Sequence, residues 1–196
     1  SGNCNWPSSN CLKTKDPTLT SIVIRKWLIG CVACLYEPEF RSKLIPVLQG
    51  DQSWRKSAFI ERIAKVMDGA FLEGAELNPD NKDSVLSCIK SWIVELGELE
   101  RSTKNSQGSL KAFITKGVDT VRPPYGRTDV KKPRQTNFIA SVNGDSFLKD
   151  DTGSARYAVL VMTDAPDMDT LNDLLGWNWN EGKLRLVNPD NLRQFW

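Results

Sequence analysis

The sequence predicts an α/β fold built on a largely parallel sheet. Short continuous apolar runs, such as Phe138 to Val142 and Tyr157 to Met162, have the character of strands buried on both faces. They alternate with stretches whose apolar residues recur at helical spacing, the order expected of a sheet covered by crossover helices. A length of 196 residues with 40% hydrophobic content suits one domain with a proper core and room for an appended subdomain.

Along the chain, residues 1–20 hold Pro7, Pro17 and many Ser, Asn and Thr, and predict an irregular arm. Thr20 is placed to cap a helix over 21–36 that ends near Pro38. Its stripe of Ile24, Leu28, Cys31 and Leu35, flanked by Trp27 and Cys34, reads as core-facing. Leu44 to Leu48 predict a strand, in which Pro46 is awkward because a central strand needs its N–H groups. A polar turn starts at Gly50, and Phe59, Ile60, Ile63, Val66 and Met67 mark a helix from Ser57. Ala70 to Leu72 form a second short apolar run. Asn81 or Asp80 opens a helix through Val85, Leu86, Cys88 and Ile89. Trp92 to Leu96 read as a buried strand interrupted by Glu95, and Ser109 to Thr115 as a helix. The block 119–135 is expected to be loop-like, since Pro123, Pro124 and Pro133 oppose regular structure. A short helix is expected over 168–175, and Leu192 to Trp196 look like the start of one continued downstream. The expected organisation is an arm and helix over 1–40, a core over 41–165 with a basic loop at 116–135, and a C-terminal extension over 166–196.

Composition narrows the chemistry. There is no histidine, which removes imidazole bases, His-paired nucleophiles and His-ligated zinc. Any catalysis must use carboxylates, Lys and Arg, hydroxyls, backbone dipoles or a bound metal. Cys31 and Cys34 have a C-x-x-C spacing that Cys4 and Cys11 would complete as a zinc site. Their place on an amphipathic helix favours core thiols instead. The odd total of 5 cysteines favours free thiols in a reducing, cytoplasmic setting. No uninterrupted run of about 18 apolar residues predicts a membrane span. The net charge of +2 hides an asymmetry: residues 101–135 are strongly basic, with Asp119 and Asp129 their only acids, whereas the rest of the chain carries more acids than bases. Such a block suits a polyanion, and equally a solvated loop.

Strand, loop and helix around Gly50-Asp51-Gln52-Ser53-Trp54-Arg55-Lys56-Ser57 outline a phosphate-binding loop. Backbone N–H groups at a helix N-terminus would wrap phosphates, Lys56 would neutralise them, and Ser57 would hold magnesium. Arg55 stands where glycine is expected, so an ordinary loop is the competing reading. Glu95 and Glu98 lie at an acidic strand end suited to magnesium and an attacking water, although Glu98 equally suits a helix start. Asn143 ends another strand, where it suits a phosphate sensor or a plain turn before Gly144. Arg156 is a candidate arginine finger, or simply an exposed residue opening a strand.

Between Lys82 and Val159 the segments Trp92 to Leu99, Lys111 to Phe113, Asp119 to Arg127 (with Arg122-Pro123-Pro124-Tyr125-Gly126-Arg127), Phe138 to Asn143 and Phe147 to Gly153 closely resemble the virulence-associated protein E family of phages and mobile elements. The resemblance implies a superfamily 3 helicase-like domain with a P-loop NTPase, AAA+-like three-layer sandwich, acting on ATP and Mg2+. It also implies a homo-oligomeric ring, single-stranded DNA as partner, and a fused or partner primase. Gly50, Gln52, Lys56 and Ser57 match the nucleotide loop, whose family form is G-x-Q-G-x-G-K-S, so Ser53 and Arg55 replace two glycines. Glu95 and Glu98 match the acidic strand, Ser57 and Glu95 the magnesium site, Asn143 the sensor, and Arg156 the second of two arginines whose first is Ala155 here. Arg122, Tyr125, Arg127, Lys131, Lys132 and Arg134 fall where such proteins carry a DNA-gripping loop-hairpin. With the loop altered, the alternative is a degenerate relative that binds nucleic acid with weak or no hydrolysis. A plain interaction module whose basic loop meets an acidic protein is a third reading.

Overall fold

Five parallel strands form the central sheet of the computed structural model, which describes residues 11–97, 112–121, 127–144 and 156–196. In chain order the elements are α1 (Pro17–Tyr36), β1 (Ile45–Gly50), α2 (Lys56–Ala64), β2 (Phe71–Ala75), α3 (Lys82–Ile89), β3 (Ile93–Leu96), β4 (Val118–Val121), β5 (Val130–Pro133), β6 (Asn137–Asn143), β7 (Tyr157–Val161), α4 (Met168–Leu175), β8 (Trp177–Asn180), β9 (Lys183–Leu186) and α5 (Pro189–Phe195). The order across the sheet is β2-β3-β6-β1-β7. From β1 the chain runs to one edge, then returns past β1 to the other. The C-terminal end of β1 is therefore a switch point, where open α/β sheets bind ligands.

Strand alternation sorts the core into two faces. Leu48, Ile93, Ile139 and Leu160 pack with Trp27 and Leu28 of α1, Phe59 and Ile63 of α2, and Leu171 of α4. Ile45, Val47, Val94, Phe138 and Val142 pack on the opposite side with Cys88 of α3 and with Phe113. Helices on both faces make three layers. The first cluster runs from Cys11 to Leu192, so both ends of the described chain share one core. Residues 13–15 cover the outer edge of β7, with Lys15 N donating to Val161 O at 2.9 Å and Thr163 N to Lys13 O at 2.8 Å.

Several boundaries differ from expectation. α1 starts earlier, because Asp16, not Thr20, is its cap and accepts from Leu19 N at 2.9 Å. Pro17 takes the first turn, where its missing N–H costs nothing. Thr20 is buried instead, with its hydroxyl 2.7 Å from that of Thr14. α1 is 20 residues long with mean hydropathy 1.6, enough by length and composition to cross a membrane. One face, including Val23, Ile24, Trp27, Leu28 and Cys31, is nevertheless packed in the core cluster, as in a core helix. The 119–135 block contains a hairpin rather than only loop: β4 and β5 pair antiparallel, and Pro133 is accommodated as the last residue of β5. A second hairpin, β8 with β9, was not expected. Its two-residue turn places Glu181 at φ 50 and Gly182 at φ 72, the left-handed pair that matches strand twist.

Pro46 does lie in a central strand, and its cost is met by a side chain. Ile45 N donates to Arg156 O and Met162 N to Gln49 O, each at 2.8 Å, so odd residues of β1 bond to β7. Even residues then face β6, and the register sets the nitrogen of Pro46 against the carbonyl of Phe138. Proline has no proton to give there. The indole Nε1 of Trp27 donates to that carbonyl at 2.9 Å. Trp27→Phe should therefore cost about 1–3 kcal/mol in urea denaturation, the penalty of an unpaired buried carbonyl. Adding Pro46→Val, which returns an N–H, should recover part of that loss. Simple additivity of the two changes would contradict the pairing.

Candidate functional site

Gly50 ends β1, and the loop after it turns directly into α2. A Cβ on Gly50 would lie 2.6 Å from Cε3 of Trp54, so glycine lets this ring lie on the backbone. Trp54 thus packs against the core cluster. Arg55 then takes φ 50 and ψ 33, the left-handed conformation that glycine would adopt at no steric cost. In a residue with a Cβ this costs about 1–2 kcal/mol. The loop keeps the backbone turn despite the substitution, and the Arg55 side chain is exposed. Gln52 is exposed in the same loop. Among the described residues no side chain caps α2, and its first turn holds no acid. That end carries the positive pole of the helix and N–H groups suited to an anion.

Lys56 is 5% exposed and donates to Gly50 O at 2.9 Å, Asp51 O at 2.7 Å and Asn143 Oδ1 at 2.9 Å. Its ammonium is thereby held inside the loop and tied to the end of β6. Gln49 Nε2 donates to Gly144 O at 2.8 Å, a second tie between the ends of β1 and β6. One strand further, Glu95 is fully buried. Its Oε1 accepts from Ser57 Oγ at 2.7 Å and from Ser141 Oγ at 2.6 Å. Among the described residues its buried Oε2 has no hydrogen-bond partner. A buried carboxylate oxygen without a donor is costly, and a cation or its hydration shell would satisfy it. Glu73 of β2 stands close by: burial, then the charges of Glu95 and Glu61, push its carboxyl above the ordinary range.

Lys56, Ser57, Glu95 and Asn143 are therefore brought together as the sequence suggested. Ser141 and Glu73 were missed, although an isolated hydroxyl two residues before Asn143 in an apolar strand was the available signal for Ser141. Glu98, Arg122 and Tyr125 lie outside the described residues. Arg156 opens β7 beside Ile45, the far end of β1 from Gly50. Five residue steps of about 3.3 Å separate them, so Arg156 does not complete the loop site of its own chain. Its Nε is buried without a hydrogen-bond partner among the described residues.

The basic block divides. Arg127, Lys131 and Lys132 are exposed around the hairpin. Arg134 is not a surface contact: it is 8% exposed, pairs with the buried carboxylate of Asp119, and donates to Phe113 O at 2.6 Å. Its guanidinium lies 4.1 Å from the centre of the Phe113 ring. The pair ties the base of the hairpin to the second core cluster. Among the described residues no three His, Cys, Asp or Glu group to hold a metal. Cys31 and Cys34 are buried free thiols, both raised first of all by burial.

These features define an α/β protein with an anion-ready strand-loop-helix at the switch point of a parallel sheet, facing a buried carboxylate. The chain belongs to the virulence-associated protein E-like domain family, whose model matches residues 4–185. Among solved structures, the C-terminal region of NrS-1 in its A form superposes with a TM-score of 0.58 at 15% identity, over 94% of this chain and 46% of that one. A second apo structure of that region gives 0.56 at 16% identity, over 97% and 42%. This chain thus spans less than half the length of the NrS-1 regions, and the likeness is one of fold. No curated protein sequence matches it.

Arg134→Met should destabilise the chain by about 3–5 kcal/mol, because it strands a buried carboxylate. Lys131→Glu with Lys132→Glu should change stability by no more than about 0.5 kcal/mol per site, as expected of exposed positions. Chemical denaturation of the three proteins checks both.

Proposed function

We propose that this chain is the ATP-driven DNA-unwinding domain of a phage or mobile-element replication protein, related to superfamily 3 helicases. The observation that carries the reading is the joined set Lys56, Asn143, Ser57 and Glu95 at the uncapped start of α2. Phosphates of ATP would meet the first-turn N–H groups of α2, with Gly50 and Gln52 in the loop and the Lys56 ammonium released from loop carbonyls to the anion. Ser57 and Glu95 would hold Mg2+, which supplies charge neutralisation for phosphoryl transfer. Asn143, already bonded to Lys56, would orient the attacking water, and Glu98 is the candidate second acid beside Glu95. Arg156, excluded by distance from its own loop, would serve a neighbouring subunit in a homo-oligomeric ring. Single-stranded DNA would run along Arg127, Lys131 and Lys132, with Arg122 and Tyr125 proposed as further contacts. A primase, fused or separate, is the proposed companion, in the reducing interior of a cell.

One observation favours a second reading: Arg55 places a cationic side chain at a glycine position of the loop. A degenerate relative would bind DNA without turnover. Steady-state ATP hydrolysis with and without single-stranded DNA separates the two. Wild type should hydrolyse ATP, faster with DNA, and Lys56→Ala should lose at least about 100-fold, the scale of removing an electrostatic transition-state contact. Activity absent from wild type but gained by Arg55→Gly would overturn turnover in this chain. The double charge reversal at Lys131 and Lys132 should weaken DNA binding and flatten its salt dependence. Unchanged binding would remove the hairpin from the DNA interface.

A further inference from the structure

We propose that Glu73 is a ligand of the divalent-cation site, sharing the ion with Glu95 and Ser57. β2 and β3 pair in register at Leu72 with Val94 and again at Ala75 with Leu96, so Glu73 and Gly74 together oppose Glu95 alone. This is a bulge, which leaves one residue unpaired and bends the strand locally. Gly74 takes φ 59 to make it. Gly97 lets the two strands approach there, since a Cβ on it would lie 3.3 Å from Gly74 Cα. Phe71 is paired with Ile93, so alternation puts Glu73 and Glu95 on the same face of the sheet.

The buried partner points to an ion rather than to a mere acidic pair. Ser141 engages Glu95 Oε1 from the β6 side and Ser57 engages it from α2. Glu95 Oε2 is buried without a hydrogen-bond partner among the described residues, and on the neighbouring β2 Glu73 stands opposite in register and close enough to feel the Glu95 charge. The cation near Glu73, Lys65, is bonded to Glu61 at 3.1 Å. Two carboxylates and a hydroxyl are the hard oxygen donors that Mg2+ and Mn2+ take, with water completing the shell.

The inference rests on the proposed nucleotide reading for the identity of the ion, and its test is independent of turnover. Mn2+ alone is titrated into the full chain and followed by electron paramagnetic resonance. Wild type should bind one Mn2+, with affinity lowered about 10-fold or more in Glu73→Gln and in Glu95→Gln, and largely kept in Glu73→Asp. Thermal unfolding of Glu73→Gln should match wild type without metal, since Glu73 is an exposed side chain. No Mn2+ binding by wild type, or binding lost in Glu95→Gln yet unchanged in Glu73→Gln, would overturn it. A chain that binds Mn2+ through Glu73 but never hydrolyses ATP would overturn the functional reading and leave this site standing.

Discussion

The fully buried carboxylate of Glu95 is the constraint on which the site is built. A carboxyl group buried inside a sheet must have its oxygens met by donors or a cation, and here two hydroxyls arrive from two different elements. Ser57 brings the first turn of α2, and Ser141 brings the end of β6. Once those are fixed, Asn143 is two residues beyond Ser141 and reaches Lys56, which closes the loop back onto β1. The order β3-β6-β1 is thus required by the polar chemistry as much as by the apolar faces.

The opposite end of α2 is fixed by indoles. Trp177 Nε1 donates to Arg62 O at 3.1 Å and Trp196 Nε1 to Ile63 O at 2.9 Å, two carbonyls near the end of a nine-residue helix. Trp92 Nε1 adds a bond to Cys31 O within α1 at 2.8 Å, and Trp27 supplies the proton that Pro46 lacks. Each large ring buries apolar area while its N–H finds a backbone carbonyl acceptor. The C-terminal hairpin and α5 thereby hold in place the helix that carries Lys56 and Ser57.

The basic block shows why charge counts locate a surface without assigning its members. Lys131 and Lys132 stay in solvent, where long side chains cost nothing to hydrate. Arg134, three residues from Lys131, is drawn inward because Asp119 sits across β4 and β5 and Phe113 offers a ring face. Arg is the cation suited to this, since its planar fork can serve a carboxylate, a carbonyl and a ring together.

Much of the fold was legible in the residues themselves. Continuous apolar strands, helical stripes and a cap at Asp80 or Asn81 each follow from local periodicity or side-chain chemistry, and they placed β1, α2, α3, β3, β6, β7 and α4 closely. Lys56, Ser57, Glu95 and Asn143 stood out because their types and strand-end positions suit phosphate chemistry. Tertiary structure decided what depends on partners remote in sequence. The β8–β9 hairpin, the inward turn of Arg134, the separation of Arg156 from the loop and the rescue of Pro46 by Trp27 all belong here. So does the strand register that sets Glu73 against Glu95. Periodicity records which face a residue prefers, whereas a buried charge or an unpaired carbonyl is resolved only by whatever the fold brings beside it.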